Sequence, residues 1–503
     1  MFVQAEGTIF LTKFSAIPIP EELRPGSLEA VLVLVGAIAV AGCILAPKAG
    51  LLVVIGCAAL WFVALVSDVF RGRFDGIMLL WAGAFPFGYT VLSFPREHSI
   101  VTLDRVVILV ALMGILLVKP NTLIEVPKPL RRAALIWLAF IVVAGVTLGK
   151  SVNVMNAAKI LLDGFLSPLL LAWCVLARFD VRRRLPTLHT TVCISSILCA
   201  GIAAAEIVTK QDLLPDESSA FSSGGSIPRP NGPFPMDADL ALVGAISFFF
   251  LLFLRAGLGP KLSSGRRMLH SIGLVAAIGM ALMPMFRSVA IALLLVLIID
   301  TFWEQGTTLR GQRIVLMLAF AGLIFLPRIF APDMFEDRTS AFNVYGRVAQ
   351  LEQSLRVFVD HPLLGVGFLN FHEFVVGELR YLASYEGVSS LDWPHSNLAQ
   401  VLTETGILGF VPYVMAQVLL LIAMWRLRKL SNSGYQVWKC YIYVFLCYWI
   451  LGLDESSGYS PGNLWYLFVI AVFCKYVLTD PDLMQSTEVQ ASDLAFSMPS
   501  QVF

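Results

Sequence analysis

A histidine opens a stretch of polar side chains at helical spacing in the second half of this sequence. His395 precedes Asn397, Gln400 and Glu404, and these three would share one face if residues 396–406 form a helix. An imidazole titrates near neutral pH, so His395 could act as a general base that takes a proton from a hydroxyl group. The same pattern also fits a histidine that begins a helix and has no chemical task.

Three arginines stand beside apolar segments. Arg287 lies between two apolar runs, Arg229 directly precedes another, and Arg347 lies on a predicted helix. A charge in such a place is costly unless it is paired or faces water. A planar guanidinium can bind two phosphate oxygens at once, so three of them at one membrane surface could bind a diphosphate. Each arginine alone also fits an ordinary interfacial cation.

The patterns for metal binding are weak. Asp237-Ala238-Asp239 has the spacing of a two-carboxylate metal site, but so short a match is common by chance. His372-Glu373 lacks the second histidine of the HExxH zinc pattern. We therefore expect no metal site and no cofactor. Since the chain also has no glycine-rich phosphate loop and no basic patch, we expect neither a nucleotide nor a nucleic acid as a partner.

Other titratable groups have structural explanations. His361 precedes a proline and predicts the end of a helix. Asp163 follows Lys159 by four residues, which predicts an ion pair within one helix. His189 and His270 lie near the ends of apolar runs, where we expect no chemical role.

Composition identifies the class of protein. Hydrophobic residues make up 57% of the 503-residue chain and charged residues only 14%, and the mean hydropathy is +0.79. The apolar blocks are long enough to cross a hydrocarbon core of about 30 Å. All 8 cysteines lie in apolar segments, so no disulfide framework is indicated. We predict an all-α, polytopic membrane protein of roughly 12–14 spans.

The candidate spans follow the apolar blocks of the sequence. They are 30–46, 50–67, 76–95, 100–118, 133–149, 160–177, 186–208, 238–254, 268–285, 289–303, 314–330, 407–425, 440–453 and 463–478.

Lysine and arginine predict the orientation of these spans. They concentrate in alternate connections, among them those with Arg131, Arg183, Arg266 and Arg428, and such connections face the cytoplasm. Both termini are therefore predicted to be cytoplasmic, and the long loop 328–396 to be outside. In a bacterium this means a protein of the inner membrane with its large loop in the periplasm.

The large loop contains a predicted helix. Apolar residues recur there at helical spacing: Val344, Val348, Leu351, Leu355 and Phe358. His361-Pro362 should end this helix, and Gly365-Val366-Gly367 should form a turn after it.

Residues 225–425 resemble the bacterial O-antigen ligase and polysaccharide polymerase superfamily. The strongest part extends from Gly346-Arg347 through the loop helix to His361-Pro362-Leu363-Leu364-Gly365-Val366-Gly367. The second part extends from His395 to Glu404-Thr405-Gly406-Ile407-Leu408-Gly409. Arg229 with Asn231-Gly232-Pro233-Phe234, and Phe286-Arg287-Ser288, add weaker support.

This sequence departs from the family pattern at two points. Many members have asparagine directly after the loop histidine, where this chain has Ser396 and then Asn397. The threonine that commonly precedes the Ser-Arg step is replaced by Met285-Phe286. Residues 1–220 match the family only in having many spans.

The resemblance implies transfer of a glycan from undecaprenyl diphosphate to an acceptor hydroxyl at the periplasmic face. The acceptor would be another lipid-linked glycan or lipid A–core, and candidate partners are a repeat-unit flippase and a chain-length regulator. The implied roles are a general base (His395), an orienting carboxylate (Glu404), a diphosphate-binding set (Arg229, Arg287 and Arg347) and secondary candidates (Asn397 and Arg356).

The predicted organisation has five parts. They are a cytoplasmic segment (1–28), N-terminal transmembrane helices (29–220), a ligase/polymerase-like core with its periplasmic loop (221–425), C-terminal transmembrane helices (426–478) and a cytoplasmic tail (479–503).

The sequence leaves two choices of function open. A polymerase and a ligase share these residues, and the long, acidic outer loops slightly favour a polymerase. A lipid-linked-sugar flippase or another polysaccharide transporter is the alternative from a different class. Such folds usually carry internal repeats and midplane charges, whereas this chain has one long asymmetric loop.

The predicted orientation can be tested by cysteine labelling. We expect cysteines at Ser340, Gly387 and Ser457 to react with an impermeant thiol reagent in intact cells, and cysteines at Ser264 and Ser431 to stay unlabelled, because lysine and arginine alternate in that way. Labelling at position 264 without labelling at position 387 would contradict both the topology and the location of the site.

Overall fold

The computed structural model of the chain is almost entirely helical. It describes residues 47–89, 93–94, 100–118, 126–211, 213–214, 229–259, 262–303, 341–390, 393–454, 459 and 461–480. The predicted segment 1–28, spans 30–46 and 314–330 and nearly all of the tail 479–503 lie outside these residues. Within the described part, six helices are long and apolar enough to cross a membrane. The protein is therefore an all-α, multi-pass membrane protein, as predicted.

The helices follow one another with short connections over most of the described chain. In chain order they are α1 (Pro47–Phe70), α2 (Asp75–Ala84), α3 (Leu103–Leu117), α4 (Lys128–Thr147), α5 (Val154–Leu161), α6 (Ser167–Arg178), α7 (Val181–Thr209), α8 (Asp237–Gly257), α9 (Ser264–Leu282), α10 (Arg287–Trp303), α11 (Ala341–Asp360), α12 (Phe371–Gly377), α13 (Asn397–Leu427), α14 (Asn432–Asp454) and α15 (Gly462–Leu478).

Short elements complete the described structure. They are 3-10 turns at Phe85–Phe87, Leu148–Lys150 and Leu379–Tyr381, a π-helical turn at Leu162–Leu166, and the strands β1 (Ser93–Phe94), β2 (Val101–Thr102), β3 (Ser384–Tyr385) and β4 (Val388–Ser389). The strands form two antiparallel pairs, in which Ser93 faces Thr102 and Ser384 faces Ser389.

Most predicted spans in the described region overlap a helix but differ from it in their bounds, and two differences bear on the site region or on the helix count. The predicted span 76–95 is wrong in its second half, because α2 ends at Ala84 and Ser93–Phe94 forms a strand. The predicted span 407–425 begins too late, because α13 starts at Asn397 and includes the polar stripe that precedes the apolar run.

The chain divides into two compact units, residues 1–68 and 69–503. The described part of the first unit belongs to α1. In the second unit, α15 is buried along almost its whole length. A helix that is apolar on every face is stable only where other helices surround it, and α15 packs against α6, α8 and α14.

Close helix contacts need small residues. Helix α9 packs against both α7 and α8. A β-carbon at Gly244 of α8 would lie 2.5 Å from the backbone nitrogen of Ala281 in α9, so only glycine allows this approach. Small residues at crossing points are the usual means of close packing between membrane helices.

The predicted ion pair between Lys159 and Asp163 is wrong. Asp163 instead accepts two hydrogen bonds from the guanidinium of Arg105 in α3, at 2.8 and 2.7 Å. The π-helical turn Leu162–Leu166 contains Asp163 and interrupts the spacing that places residues i and i+4 on one face. A bidentate pair with Arg105 joins two helices in place of a contact within one.

The loop helix α11 ends where the sequence predicts. Its last residue is Asp360, and His361 and Pro362 follow. The His361 imidazole packs edge-on against Phe374, with the ring centroids 5.2 Å apart. This position agrees with a histidine at a helix end.

Helix α13 is broken at one residue. Gly406 has φ 61° and ψ −167°, a conformation essentially restricted to glycine. A break exposes backbone groups that a continuous helix would satisfy. Here the segment 362–367 satisfies them with hydrogen bonds from Val366 to Thr403 (3.0 Å), Gly367 to Glu404 (3.0 Å), Ile407 to Pro362 (2.8 Å) and Leu408 to Leu363 (3.2 Å).

Glycines make this backbone pairing possible on both sides. Gly365 has φ +59°, and a β-carbon there would lie 2.3 Å from the carbonyl oxygen of Thr403. A β-carbon at Gly406 would lie 2.4 Å from the carbonyl carbon of Leu363. The turn predicted at Gly365-Val366-Gly367 lies just before them, at residues 362–364, and Val366 and Gly367 bond to the broken helix instead.

We expect Gly406→Ala to destabilise the protein far more than Gly387→Ala. Both glycines have positive φ, but Gly387 has nothing within 4 Å of a β-carbon. Gly387→Ala, the control, should lower the free energy of unfolding by about 1–2 kcal/mol, as for a side chain in a left-handed conformation. Gly406→Ala adds a clash between two backbones and should cost at least about 3 kcal/mol. Thermal unfolding in detergent measures both, and equal losses would contradict the pairing across the break.

Candidate functional site

The carboxylate of Glu404 lies at the centre of the contact between the loop and α13. Its side chain is fully buried. One carboxylate oxygen accepts a hydrogen bond from the backbone N–H of Leu369 at 2.9 Å, and the other accepts one from Gln400 Nε2 at 3.1 Å. Burial, followed by the charge of Glu404, raises the pKa of the neighbouring Tyr459 phenol well above its ordinary value. Glu404 therefore holds the loop on the helix and faces a hydroxyl that stays protonated.

The connection between α4 and α5 binds the same loop segment from another direction. Lys150 Nζ donates to the Gly365 carbonyl at 2.9 Å, and the Ser151 hydroxyl donates to the Phe368 carbonyl. Asn370 Nδ2 donates to the Lys150 carbonyl at 3.1 Å, and its oxygen accepts from the Val152 N–H at 3.0 Å. The segment 365–370 is thus fixed between the α4–α5 connection and the break in α13.

His395 lies at the start of α13, beside the loop. Its backbone N–H donates to the Trp393 carbonyl at 3.0 Å. The Trp393 indole stacks on the His372 imidazole, with ring centroids 5.1 Å apart and an interplanar angle of 9°. This stack attaches α12 to the residues directly before His395. His395 is half-buried, so its imidazole is accessible in part.

The predicted polar stripe forms the inner face of the first half of α13. Asn397, Gln400 and Glu404 are all buried, with at most 3% of each exposed. Asn397 packs against α14, where a β-carbon at Gly452 would lie 2.4 Å from its amide nitrogen. The helical prediction for 396–406 is confirmed, and its polar face points into the protein.

Two of the three predicted phosphate-binding arginines come from segments that meet. The guanidinium of Arg229 lies over the ring of Phe286, 5.2 Å from its centroid, and Phe286 directly precedes Arg287. Arg229 also pairs with Asp237 at 3.1 Å. Arg287 is the first residue of α10 and is exposed. The structure therefore brings the Arg229 segment to the Phe286-Arg287 step.

The two carboxylates of the Asp237-Ala238-Asp239 pattern have separate protein partners. Asp237 binds Arg229, whereas Asp239 is fully buried and accepts a hydrogen bond from the Gly462 N–H at 3.2 Å. Asp239 thus fixes the start of α15. These contacts agree with the structural interpretation of the pattern.

The other two candidate arginines lie on α11. Arg347 is half-buried, next to Gly346, which packs against Val388 of the β3–β4 hairpin. Arg356 is exposed and pairs with Glu352 at 2.5 Å. Arg356 therefore belongs to the loop surface, one turn from the end of α11.

Helix α11 faces the protein with its polar side. Gln350, Gln353 and Ser354 are buried, and α11 packs against α13. Val348, Leu351 and Leu355, which predicted the helix, are exposed. An exposed apolar stripe on a membrane protein can be covered by lipid, so apolar spacing predicted the helix correctly but not which face is buried.

Sequence patterns did not identify Lys150, Ser151 and Asn370 as part of the site. Lys150 binds Gly365 across 215 residues of sequence, and no periodic pattern connects such distant positions. A polar Lys-Ser pair directly after an apolar span was the available signal, since it places donors at a membrane surface.

The comparisons with known proteins leave the family open. No family model matches the sequence, and no curated protein is significantly similar to it.

The hydrogen bonds of Glu404 predict a large stability effect. Glu404→Ala leaves the buried N–H of Leu369 without its acceptor, which should cost roughly 1–3 kcal/mol in addition to the lost packing. Glu352→Ala removes an exposed ion pair with Arg356 and should cost less than about 1 kcal/mol. Thermal unfolding compares them, and limited proteolysis should cut residues 362–370 faster in the Glu404 variant. A tolerated Glu404→Ala would show that this carboxylate does not hold the loop.

Proposed function

We propose that the protein is a membrane glycosyltransferase of the O-antigen ligase and polysaccharide polymerase type. It transfers a glycan from undecaprenyl diphosphate to an acceptor hydroxyl at the periplasmic face of the bacterial inner membrane. This activity serves the synthesis of cell-surface polysaccharides such as O-antigen or exopolysaccharide. The donor is already activated, so the reaction needs no nucleotide and no further cofactor.

One observation carries the proposal. The two motif segments that resemble the family, 361–367 and 395–409, are separate in the sequence and are hydrogen-bonded to each other at the break in α13. A second contact, the stack of His372 on Trp393, attaches α12 to the residues directly before His395. The half-buried residue His395 thus lies directly before the helix whose polar face is buried. General-base catalysis requires such positioning, because the base must lie within hydrogen-bond reach of the proton it takes.

The reaction is a single displacement. The acceptor hydroxyl oxygen attacks the anomeric carbon, and its proton passes to the His395 imidazole. The bond between the anomeric carbon and the diphosphate oxygen breaks, and the electron pair leaves with undecaprenyl diphosphate. Attack from the face opposite the leaving group inverts the anomeric configuration.

The arginines bind the leaving group in this proposal. The diphosphate gains negative charge as its bond to the sugar breaks, and guanidiniums fixed nearby stabilise that charge. Arg287 is exposed at the start of α10 next to Phe286, over which Arg229 lies. Arg347 would approach from the loop helix. The lipid tail of the donor stays in the bilayer, and the exposed apolar stripe of α11 could contact it.

Glu404 is a positioning residue in this mechanism. Its carboxylate is occupied by the Leu369 N–H and Gln400, so it orients the loop and the polar face of α13. Asn397 and Arg356 stay secondary candidates for acceptor contacts. We favour a polymerase, whose acceptor is another lipid-linked glycan, over a ligase because the outer loops are long and acidic.

A lipid-linked-sugar flippase is the second candidate, and the broken helix α13 is the observation that favours it. Transporters often bind substrates at the free backbone ends of discontinuous helices. In α13, however, backbone groups on both sides of Gly406 are bonded to the segment 362–367. A break that the protein itself fills fits a scaffold for the loop better than a transport site.

The proposal predicts that one variant loses glycan transfer but keeps donor binding, and that a second variant binds the donor more weakly. General-base loss usually costs about 10²–10⁴ in rate, so His395→Ala should nearly abolish glycan transfer and keep donor binding. Arg287→Lys should weaken donor binding, because lysine lacks the bidentate fork. The assay uses purified protein in detergent with a lipid-linked donor and a defined acceptor.

Arg380→Lys is the matched control, since Arg380 is 62% exposed on its side chain and pairs with Glu378 on the loop surface. It should transfer glycan at the wild-type rate. Wild-type turnover by folded His395→Ala would refute the assigned base. Movement of the donor across vesicle membranes without any change in glycan length would instead support the flippase.

A further inference from the structure

Two histidines and a cysteine meet inside the helical bundle. His189 and Cys193 lie one turn apart on the same face of α7, and His270 of α9 faces them. His189 Nε2 lies 3.2 Å from His270 Nδ1 and 3.8 Å from Cys193 Sγ, and all three potential ligand atoms are within 4.8 Å of one another. The sequence predicts no metal site, since its metal-binding patterns are weak. This group is not visible there, because His189 and His270 are 81 residues apart in the chain.

Two of the three distances match those of atoms around one metal ion. Metal–nitrogen bonds of about 2.0–2.1 Å and metal–sulfur bonds of about 2.3 Å, roughly 120° apart around a three-coordinate ion, imply a separation of about 3.6 Å between two imidazole nitrogens. They imply about 3.8 Å between nitrogen and sulfur. The separations of His189 from His270 (3.2 Å) and from Cys193 (3.8 Å) agree within a few tenths of an ångström, and the third pair lies within 4.8 Å, so side-chain movements would let the three atoms bind one ion.

The surroundings leave space for this group and isolate it from water. His189 and Cys193 are fully buried, and His270 is 9% exposed. A β-carbon at Gly273 of α9 would lie 2.8 Å from Cys193 Sγ, so glycine makes room for the sulfur. In the described part of the chain, His189 Nδ1 is buried without a hydrogen-bond partner.

We propose that His189, Cys193 and His270 bind a Cu(I) ion that links α7 to α9. A thiolate and two neutral imidazoles suit a soft metal ion. The site would be neutral overall with Cu(I) and positively charged with Zn²⁺. Burial in a low-dielectric interior penalises a net charge.

The nearby cations strengthen the preference for Cu(I). The guanidiniums of Arg255 and Arg266 lie close enough to affect His189 electrostatically. They would repel a site with excess positive charge. Zinc also usually takes four ligands, whereas the group offers three and is closed to water. Three-coordinate Cu(I) needs no fourth ligand.

The site is separate from the proposed transferase chemistry. It connects α7 and α9, and Gly244 in turn brings α9 against α8. A metal link here would stabilise the helices that precede the Phe286-Arg287 step. Its test therefore does not depend on glycan transfer.

Titration of purified protein with Cu(I) tests the proposal. The experiment is done in detergent without oxygen, against a coloured Cu(I) chelator, with Zn²⁺ in a parallel series. We expect one Cu(I) per chain and a higher unfolding temperature on binding. Cys193→Ser and His270→Gln should each lose the bound ion. Cys199→Ser should keep it, since Cys199 is also buried on α7 but lies outside the group.

X-ray absorption of the copper-loaded wild-type protein gives a readout that does not depend on the variants folding. A shell of one sulfur and two nitrogens is expected. A shell without sulfur, or copper retained by folded Cys193→Ser, would overturn the site. Zinc displacing copper at equal concentration would overturn the assignment to Cu(I). Absence of binding by either metal would leave the group as a hydrogen-bonded histidine pair and refute the proposal.

Discussion

Backbone groups left open by the break in α13 are the constraint on which the loop before this helix depends. A peptide group without a hydrogen bond inside a membrane protein is costly, and the break at Gly406 creates several of them in a buried region. The segment 362–367 satisfies groups on both sides of the break. Helix α12 begins four residues after this segment, at Phe371, and the stack of His372 on Trp393 connects it to the residues directly before α13.

This arrangement gives the loop the fixed geometry that the proposed chemistry requires. Loops are usually the mobile part of a protein, whereas catalysis needs groups held to a fraction of an ångström. Here the loop is bonded to α13 through Glu404 and to the α4–α5 connection through Lys150 and Asn370. The buried carboxylate thus acts through structure, and half-buried His395 is the residue to which the proposed mechanism gives the role of base.

Local patterns in the sequence were enough to predict the elements but not their long-range contacts. Apolar blocks predicted most spans, Pro362 predicted the end of α11, and spacing predicted the polar face of Asn397, Gln400 and Glu404. Asp163 was assigned the wrong partner because a π-helical turn interrupts helical periodicity. Lys150 and the group at His189 were missed because their partners are distant in sequence. Only the packing of the helices brings such residues together.

Amide hydrogen exchange in lipid nanodiscs tests the central claim most directly. If the segment 362–367 is bonded across the break, the N–H groups of Val366 and Gly367 should exchange as slowly as those within α13. The exposed turn of the β3–β4 hairpin, at Glu386 and Gly387, provides a fast reference in the same loop. Exchange at Val366 and Gly367 as fast as in that turn would contradict the account, because the loop would then lack the contact that positions His395.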